Sequence, residues 1–284
     1  MQLIKFTFIV SFCLFITAGF AQDLNTDLDM GLNGKVVSIT GTEYKISDAA
    51  DPTKDETRRF EYTFNSSHNI TKNELFDSRN RTLYRATYQY NSLGLLTQEN
   101  IINNMIKEKS TRKRYTYNKN NQISKTTIYN SKGALLRTFN HEYNSDDELI
   151  AVKAYDAKNK LLDDECITYT YNAFGYRDKE LSGNKKILFT YNKQGYCVKK
   201  EEYIDEVLKY ITEYQRDKAG SITRESTVTV GANNEHSIPV DIDYIYDDMG
   251  NWISMRESME DKTFALTIRN IEYEEITDKR YLPD

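Results

Sequence analysis

Few of the 284 residues are of the types that move protons, attack carbonyls or hold metals, and those few are scattered. His68, His141 and His236 lie far apart in sequence, and none has a metal-ligand spacing such as HExxH. Ser110-Thr-Arg-Lys113 has the bare SxxK spacing of some acyl-transfer enzymes but lacks their companion motifs. Asp241, Asp243, Asp247 and Asp248 gather carboxylates of the kind that hold calcium. However, Asp241 and Asp243 alternate outward on an expected strand and Asp247 opens a turn, so these read as solvated carboxylates. There is no GxSxG elbow, phosphate loop or GxGxxG segment. The sequence nominates no catalytic residue, no cofactor-binding residue and no metal ligand, and it points to no cofactor and to a non-enzymatic role.

Residues 1–21, MQLIKFTFIVSFCLFITAGFA, carry Lys5, an apolar run from Phe6 to Phe20, and Gly19 and Ala21 before Gln22. That is the pattern of a cleaved secretory signal, so residues 22–284 are expected to form the exported chain, periplasmic, cell-surface or secreted. Cys13 lies in the middle of the apolar run, away from the place a lipoprotein cysteine would take. No later run approaches the roughly 20 apolar residues of a membrane span. With 38 Lys and Arg against 43 Asp and Glu, the net charge of −5 argues against nucleic acid or an anionic membrane as partner.

The chain is only 39% hydrophobic, against roughly 45–50% for ordinary globular domains. It holds 22 Tyr and three Pro. Tyr offers an apolar ring with a polar tip, and Pro would delete ladder hydrogen bonds, so both counts suit half-exposed strands in a thin structure.

A repeat accounts for most of the chain. The pattern aromatic-x-aromatic-Asn/Asp recurs from Tyr62, Tyr88, Tyr115, His141, Tyr169, Phe189, Tyr214 and Tyr244, with a relaxed match at Tyr214-Gln-Arg216-Asp217. Weaker copies near Phe76, Tyr129, Tyr155 and Tyr203 halve the period to about 13 residues, one strand plus one turn. His141 fills the first aromatic slot of its repeat and reads as a packing substitute.

Asn or Asp followed three residues later by Gly, as in Asn91-Ser-Leu-Gly94 and Asp247-Asp-Met-Gly250, is type I turn chemistry. Asn121, Asp147 and Asn159 replace Gly where a left-handed residue is needed. A type I turn closed by such a residue makes a G1 bulge. The aromatic before each Asn should then face the residue two past the Gly position: Ile70, Leu96, Ile123, Leu135, Leu149, Leu161, Cys197, Ile222 and Trp252, with Arg177 the exception.

Tyr-x-Tyr-Asn/Asp-x-x-Gly resembles the tyrosine-aspartate (YD) repeats of rearrangement-hotspot (Rhs) proteins, most closely in YIYDDMGNWISMRES, Tyr244 to Ser258. The opening GLNGKVVSITGTEYKI and the closing TFALTIRNIEYEE are similar to the ends of secreted YD-repeat-like proteins of Bacteroidota. The Arg that often follows Gly in the Rhs version is replaced here by Leu95, Ala134, Tyr176, Tyr196, Ser221 and Asn251. The resemblance implies a hairpin array, which in that family curls into toxin-enclosing shells or forms adhesive modules. This chain reads as too short for a closed shell.

The expected fold is therefore all-β: a single-domain antiparallel meander of about 16–18 strands, curved into an open single-layer sheet or partial barrel. Residues 45–58 and 231–239 are expected as loops. Cys166 and Cys197 fall on strands three places apart, about 14 Å, too far for a disulfide, with Cys166 pointing away from the Tyr169 face. Trp252 should lie across from Tyr246 and pack on Tyr244. The function expected is a non-catalytic exported binding or scaffolding module for cell-envelope polysaccharide or protein. A glycan-acting hydrolase and a toxin-delivery or immunity component are the alternatives.

Overall fold

The computed structural model describes residues 32–47, 51–106, 110–231 and 235–274; the expected leader lies outside them. The strands are β1 Val36–Lys45, β2 Glu56–Phe64, β3 Ile70–Asp77, β4 Thr82–Tyr90, β5 Leu96–Asn103, β6 Ser110–Tyr117, β7 Ile123–Asn130, β8 Leu135–Tyr143, β9 Leu149–Asp156 and β10 Ile167–Tyr171. They continue as β11 Arg177–Ser182, β12 Lys185–Tyr191, β13 Cys197–Ile204, β14 Val207–Arg216, β15 Ile222–Thr229, β16 Glu235–His236, β17 Val240–Tyr246, β18 Trp252–Met259 and β19 Lys262–Tyr273. One 3-10 turn, Asp163–Glu165, separates β9 from β10.

Turn chemistry explains the meander. In eleven turns, opened by Asn65, Asp77, Asn91, Asn118, Asn130, Asn144, Asp156, Asn172, Asn192, Asp217 and Asp247, the first side chain accepts the backbone N–H groups two and four residues on. The fourth residue is left-handed, and Asn121, Asp147 and Asn159 do stand in for Gly there, with φ of 60°, 64° and 63°. His68 and Asn80, both at 61°, do the same, which makes His68 a turn residue. Each turn shifts the register as the G1 bulge requires: Phe64 faces Ile70, Tyr90 faces Leu96, Tyr117 faces Ile123, Tyr171 faces Arg177 and Tyr246 faces Trp252.

Five of the tyrosine hydroxyls are engaged within the wall itself. Tyr90 donates to the Ile70 carbonyl at 2.7 Å, Tyr117 to Leu96 at 2.6 Å, Tyr143 to Ile123 at 2.9 Å, Tyr171 to Leu149 at 2.8 Å and Tyr191 to Arg177 at 2.7 Å. Each acceptor sits where the preceding hairpin leaves its bulge, so a tyrosine staples one repeat to the last. Where Arg216 replaces Tyr, its Nε donates to the Cys197 carbonyl at 3.0 Å, preserving the staple with a different donor. Tyr117→Phe removes one such bond and strands a carbonyl, so it should lower stability by about 1 kcal/mol in urea melts; an unchanged midpoint would show that the staple contributes nothing.

The expected open sheet is not what forms. β1 pairs with β2 on one side and with β19 on the other, and the wall closes into a full antiparallel barrel. The seam is long, running from Val36 opposite Tyr273 to Lys45 opposite Ala265. Closing it satisfies two edges that an open sheet would leave unpaired. Beside the seam, Asn251 accepts the Asn33 N–H at 2.8 Å, donates to the Asn33 carbonyl at 2.8 Å and donates to the Tyr273 hydroxyl at 2.7 Å. The wall is thinnest at β9–β10 and β15–β17, where two residue pairs join each. Arg137 on β8 reaches over to Glu165 at 3.0 Å and braces the first of these places.

Two expected loops are shorter than their sequence implied. Lys45 still belongs to β1 and Glu56–Arg58 already belong to β2, and within 231–239 the short β16 pairs with Val228 and Thr229. Cys166 and Cys197 are free and half-buried. Cys166 departs from its expected orientation: it follows the 3-10 turn, where strand alternation does not apply, and packs against the cluster containing Tyr169.

Candidate functional site

Closure gives the wall an inner and an outer face, and burial identifies them. Ile39, Ala86, Leu149, Val152 and Ala154 are wholly buried, which a convex surface cannot achieve, so the tyrosine face lines the lumen. The apolar lining forms two clusters, one running through β1–β6 and centred on Phe60, Tyr62, Leu75 and Tyr88, the other through β8–β10 around Phe139, Leu149 and Val152. Each is an arc of neighbouring strands and neither reaches the opposite wall. Eighteen full-length strands spaced about 4.8 Å and tilted as in barrels give a circumference of roughly 110 Å, enough to leave a lumen.

The lining becomes ionic beyond β10. Glu202 is held by Lys185 at 2.8 Å and Lys200 at 2.6 Å. Burial alone would raise its pKa, but these two partners outweigh burial and leave the carboxyl below its ordinary value. By strand register Glu225, Glu257 and Glu43 continue along the same face on β15, β18 and β1. Burial raises all three, against Lys200 at Glu225 and against Arg58 at Glu43; at Glu257 the neighbouring Glu43 and Glu225 add to the rise. In the apolar arc, Glu99 pairs with Lys113 at 3.1 Å and accepts the Tyr115 hydroxyl at 2.9 Å.

These positions settle the motifs singled out above. Lys113 faces the lumen with Glu99, whereas Ser110 is opposite Ile102 on the outer face, so the SxxK pair cannot converge. Asp247 accepts two turn N–H groups and the Tyr273 hydroxyl, and Asp241 pairs with Arg224 at 3.2 Å on the outer face. His141 is buried with Nε2 3.2 Å from Thr126 Oγ1, in the packing place expected. The side chain of His236 is outside what the structure describes. No group of three or more His, Cys, Asp or Glu suited to a metal ion occurs among the described residues.

Trp252 faces Tyr246 as expected, with its ring 6.3 Å from that of Tyr244. The sequence did not reveal its second partner: the Arg269 guanidinium lies 3.6 Å from the Trp252 ring centre, and Arg269 Nε donates to the Trp252 carbonyl. Trp252→Ala removes a half-buried ring and uncovers a buried cation, and should cost about 2 kcal/mol. A red-shifted, freely quenchable Trp emission from the folded wild-type protein, together with an unchanged melting temperature in the variant, would contradict this.

A second feature lies on the outer wall beside the seam. Cross-strand pairing lines up Phe76, Arg59, Thr42 and Ile268 in one row and Glu61, Thr40 and Asn270 in the next. Because β1 presents only the short Thr40 and Thr42 on its outer face at this point, the wall dips there between taller neighbours. The resulting cavity of about 360 Å³ is lined by Thr40, Thr42, Tyr44, Arg59, Phe76 and Asn270, among others. Sequence reading missed it because its walls come from four strands, two of them at opposite ends of the chain.

No protein-family profile and no curated protein sequence matches the chain. Among solved structures it is similar to a porin-like protein from Bacteroides uniformis, at 14% identity and a TM-score of 0.43, over 84% of this chain and 99% of that one. A porin-like protein from Bacteroides vulgatus matches at 8% identity and a TM-score of 0.30, over 84% and 99%. The Photorhabdus luminescens Tc holotoxin pore matches at 10% identity and a TM-score of 0.31, over 79% of this chain and 16% of that one. Similarity at this level concerns strand arrangement and says nothing of function.

Proposed function

We propose that this chain is an exported, non-catalytic binding shell that works in the aqueous phase of the cell envelope or outside the cell. The observation that carries the reading is how the repeated residues are used. The Oδ1 of the Asn or Asp that opens each turn is occupied by two turn N–H groups, and second-slot Tyr hydroxyls staple neighbouring hairpins. The repeat therefore builds a wall and leaves its surfaces for recognition.

The outer face supports an aqueous setting. Glu74 on β3 is held between Lys72 and Arg85, each at 2.5 Å, and Lys153 pairs with Glu142 at 2.6 Å. Such charges on a lipid-facing wall would cost about 2–4 kcal/mol for each Arg or Lys near the bilayer midplane. The 1–21 leader supplies the export half of the reading.

Two measurements test it. Fractionation of the tagged full-length chain should find it outside the cytoplasm with Gln22 at its N-terminus; a cytoplasmic, uncleaved chain overturns export. The immobilised mature protein should retain envelope polysaccharide, or one protein in fixed stoichiometry, saturably. Retention of neither overturns the binding role.

A further inference from the structure

The outer trough beside the seam is a half-open recess in the wall. Its volume of about 360 Å³ falls at the small end of the range for small-molecule sites, roughly 300–1,000 Å³. Its lining mixes two kinds of group. Tyr44, Phe76 and Ile268 supply apolar surface, with Ile268 40% exposed. Thr40, Thr42, Asn80, Asn270, Glu61 and Arg59 supply hydroxyl, amide, carboxylate and guanidinium groups around it.

The charges of the trough are matched from within the wall. Arg59 Nε lies 3.1 Å from Glu56 and Arg59 Nη2 donates to Asn80 Oδ1 at 2.8 Å, while Glu61 lies 3.8 Å from Lys72. Arg59 Nε is buried against Glu56 Oε1, but the Arg59 side chain as a whole is 42% exposed, so its outer part is what a ligand in the trough would meet. An anion would meet Glu61 and a cation would meet Arg59, and neither would find a net countercharge. A neutral ligand rich in hydroxyls, with one apolar face, fits this lining. Its hydroxyls would exchange bonds with the amides and with Arg59, and its C–H face would lie against the electron-rich faces of Tyr44 and Phe76.

We infer that the trough over Thr40-Gly41-Thr42 binds a neutral saccharide, with a sugar ring against Tyr44 and Phe76 and its hydroxyls on Arg59, Asn80 and Asn270. This inference rests on the binding-shell reading and gives it a ligand class and a place.

The test is an array of defined neutral and acidic oligosaccharides of two to four residues, followed by calorimetric titration of the best neutral binder. Thr40→Trp fills the trough from an exposed position and should reduce affinity at least tenfold while leaving the melting temperature within two or three degrees. Tyr44→Ala and Asn270→Ala should each weaken binding severalfold. Binding of acidic oligosaccharides alone, or of none on the array, overturns the saccharide assignment. Neutral binding that survives both Thr40→Trp and Tyr44→Ala overturns the trough as the site. Either failure leaves the binding shell itself to be judged separately by retention of an envelope partner.

Discussion

Gly41→Ala is expected to destabilise the barrel by about 3 kcal/mol, a large effect for a single methyl group. Gly41 lies on β1 directly opposite Phe60 on β2, both facing the lumen. The Phe60 ring folds over the glycine, so a Cβ built there would sit 2.0 Å from Cζ of the ring. Phe60 is only 3% exposed and anchors the larger apolar cluster, so it cannot move aside without losing its packing. Overpacking costs about 1–3 kcal/mol and loss of a buried Phe about 3–5 kcal/mol, and the variant must accept a share of one or the other. The site matters because β1 is the strand that joins both ends of the chain. Phe60→Ala alone should cost about 3–4 kcal/mol. In that background Gly41→Ala should add little, because the methyl then enters the space the ring has left. Urea melts of the two single variants and the double variant measure this coupling. Simple additivity, or a Gly41→Ala midpoint equal to wild type, would refute the ring-on-glycine contact.

The same residue shows what the sequence could and could not disclose. The turns were legible because everything that makes them is local: Asn91 and Gly94, or Asn118 and Asn121, lie within four residues of each other, and the facing register follows from the bulge they create. Closure was illegible because its partners, Val36 and Tyr273, are separated by nearly the whole chain and neither strand carries a pattern that distinguishes a seam from an edge. Gly41 was a clue in an expected strand, since a strand glycine often marks a close approach, but only the register shows that Phe60 is what approaches. The tyrosine staples lay between these extremes. Their spacing of about 20 residues is periodic, yet the acceptor is a backbone carbonyl, which leaves no trace in the residue type. The outer trough had least signal of all, because two threonines are common in any strand and matter here only through their taller neighbours on β2, β3 and β19.

The second large effect is expected with pH. His141 takes the aromatic slot that Tyr or Phe fills in most other repeats, and the structure buries it in the β8–β10 region opposite Val152. Its Nε2 meets Thr126 Oγ1, its Nδ1 has no partner, and no carboxylate compensates a charge there. Burial therefore lowers its pKa from 6.5 to about 4. In the unfolded chain the ring takes up its proton near the ordinary value, whereas the folded chain resists it until about pH 4, so the unfolded state binds more protons between those limits. Stability from this group is complete above about pH 6.5 and is lost as pH falls toward 4, with a total near 3 kcal/mol at about 1.4 kcal/mol per pKa unit. Glu43, Glu225 and Glu257 pull the other way, because their raised folded pKa values make the folded state the stronger proton binder as pH falls. The wild-type curve alone would mix these opposing contributions. They lie on β1, β15 and β18, away from β8, and so cancel when wild type is compared with His141→Phe. The difference in unfolding free energy between the two proteins should shift by about 3 kcal/mol in favour of the variant between pH 7.5 and pH 4. His141→Gln, which keeps a polar group facing Thr126 but cannot titrate, should show the same shift. A pH-independent difference for both variants would mean that the folded protein protonates His141 as readily as the unfolded chain, and that the lumen wall at β8 is open to water.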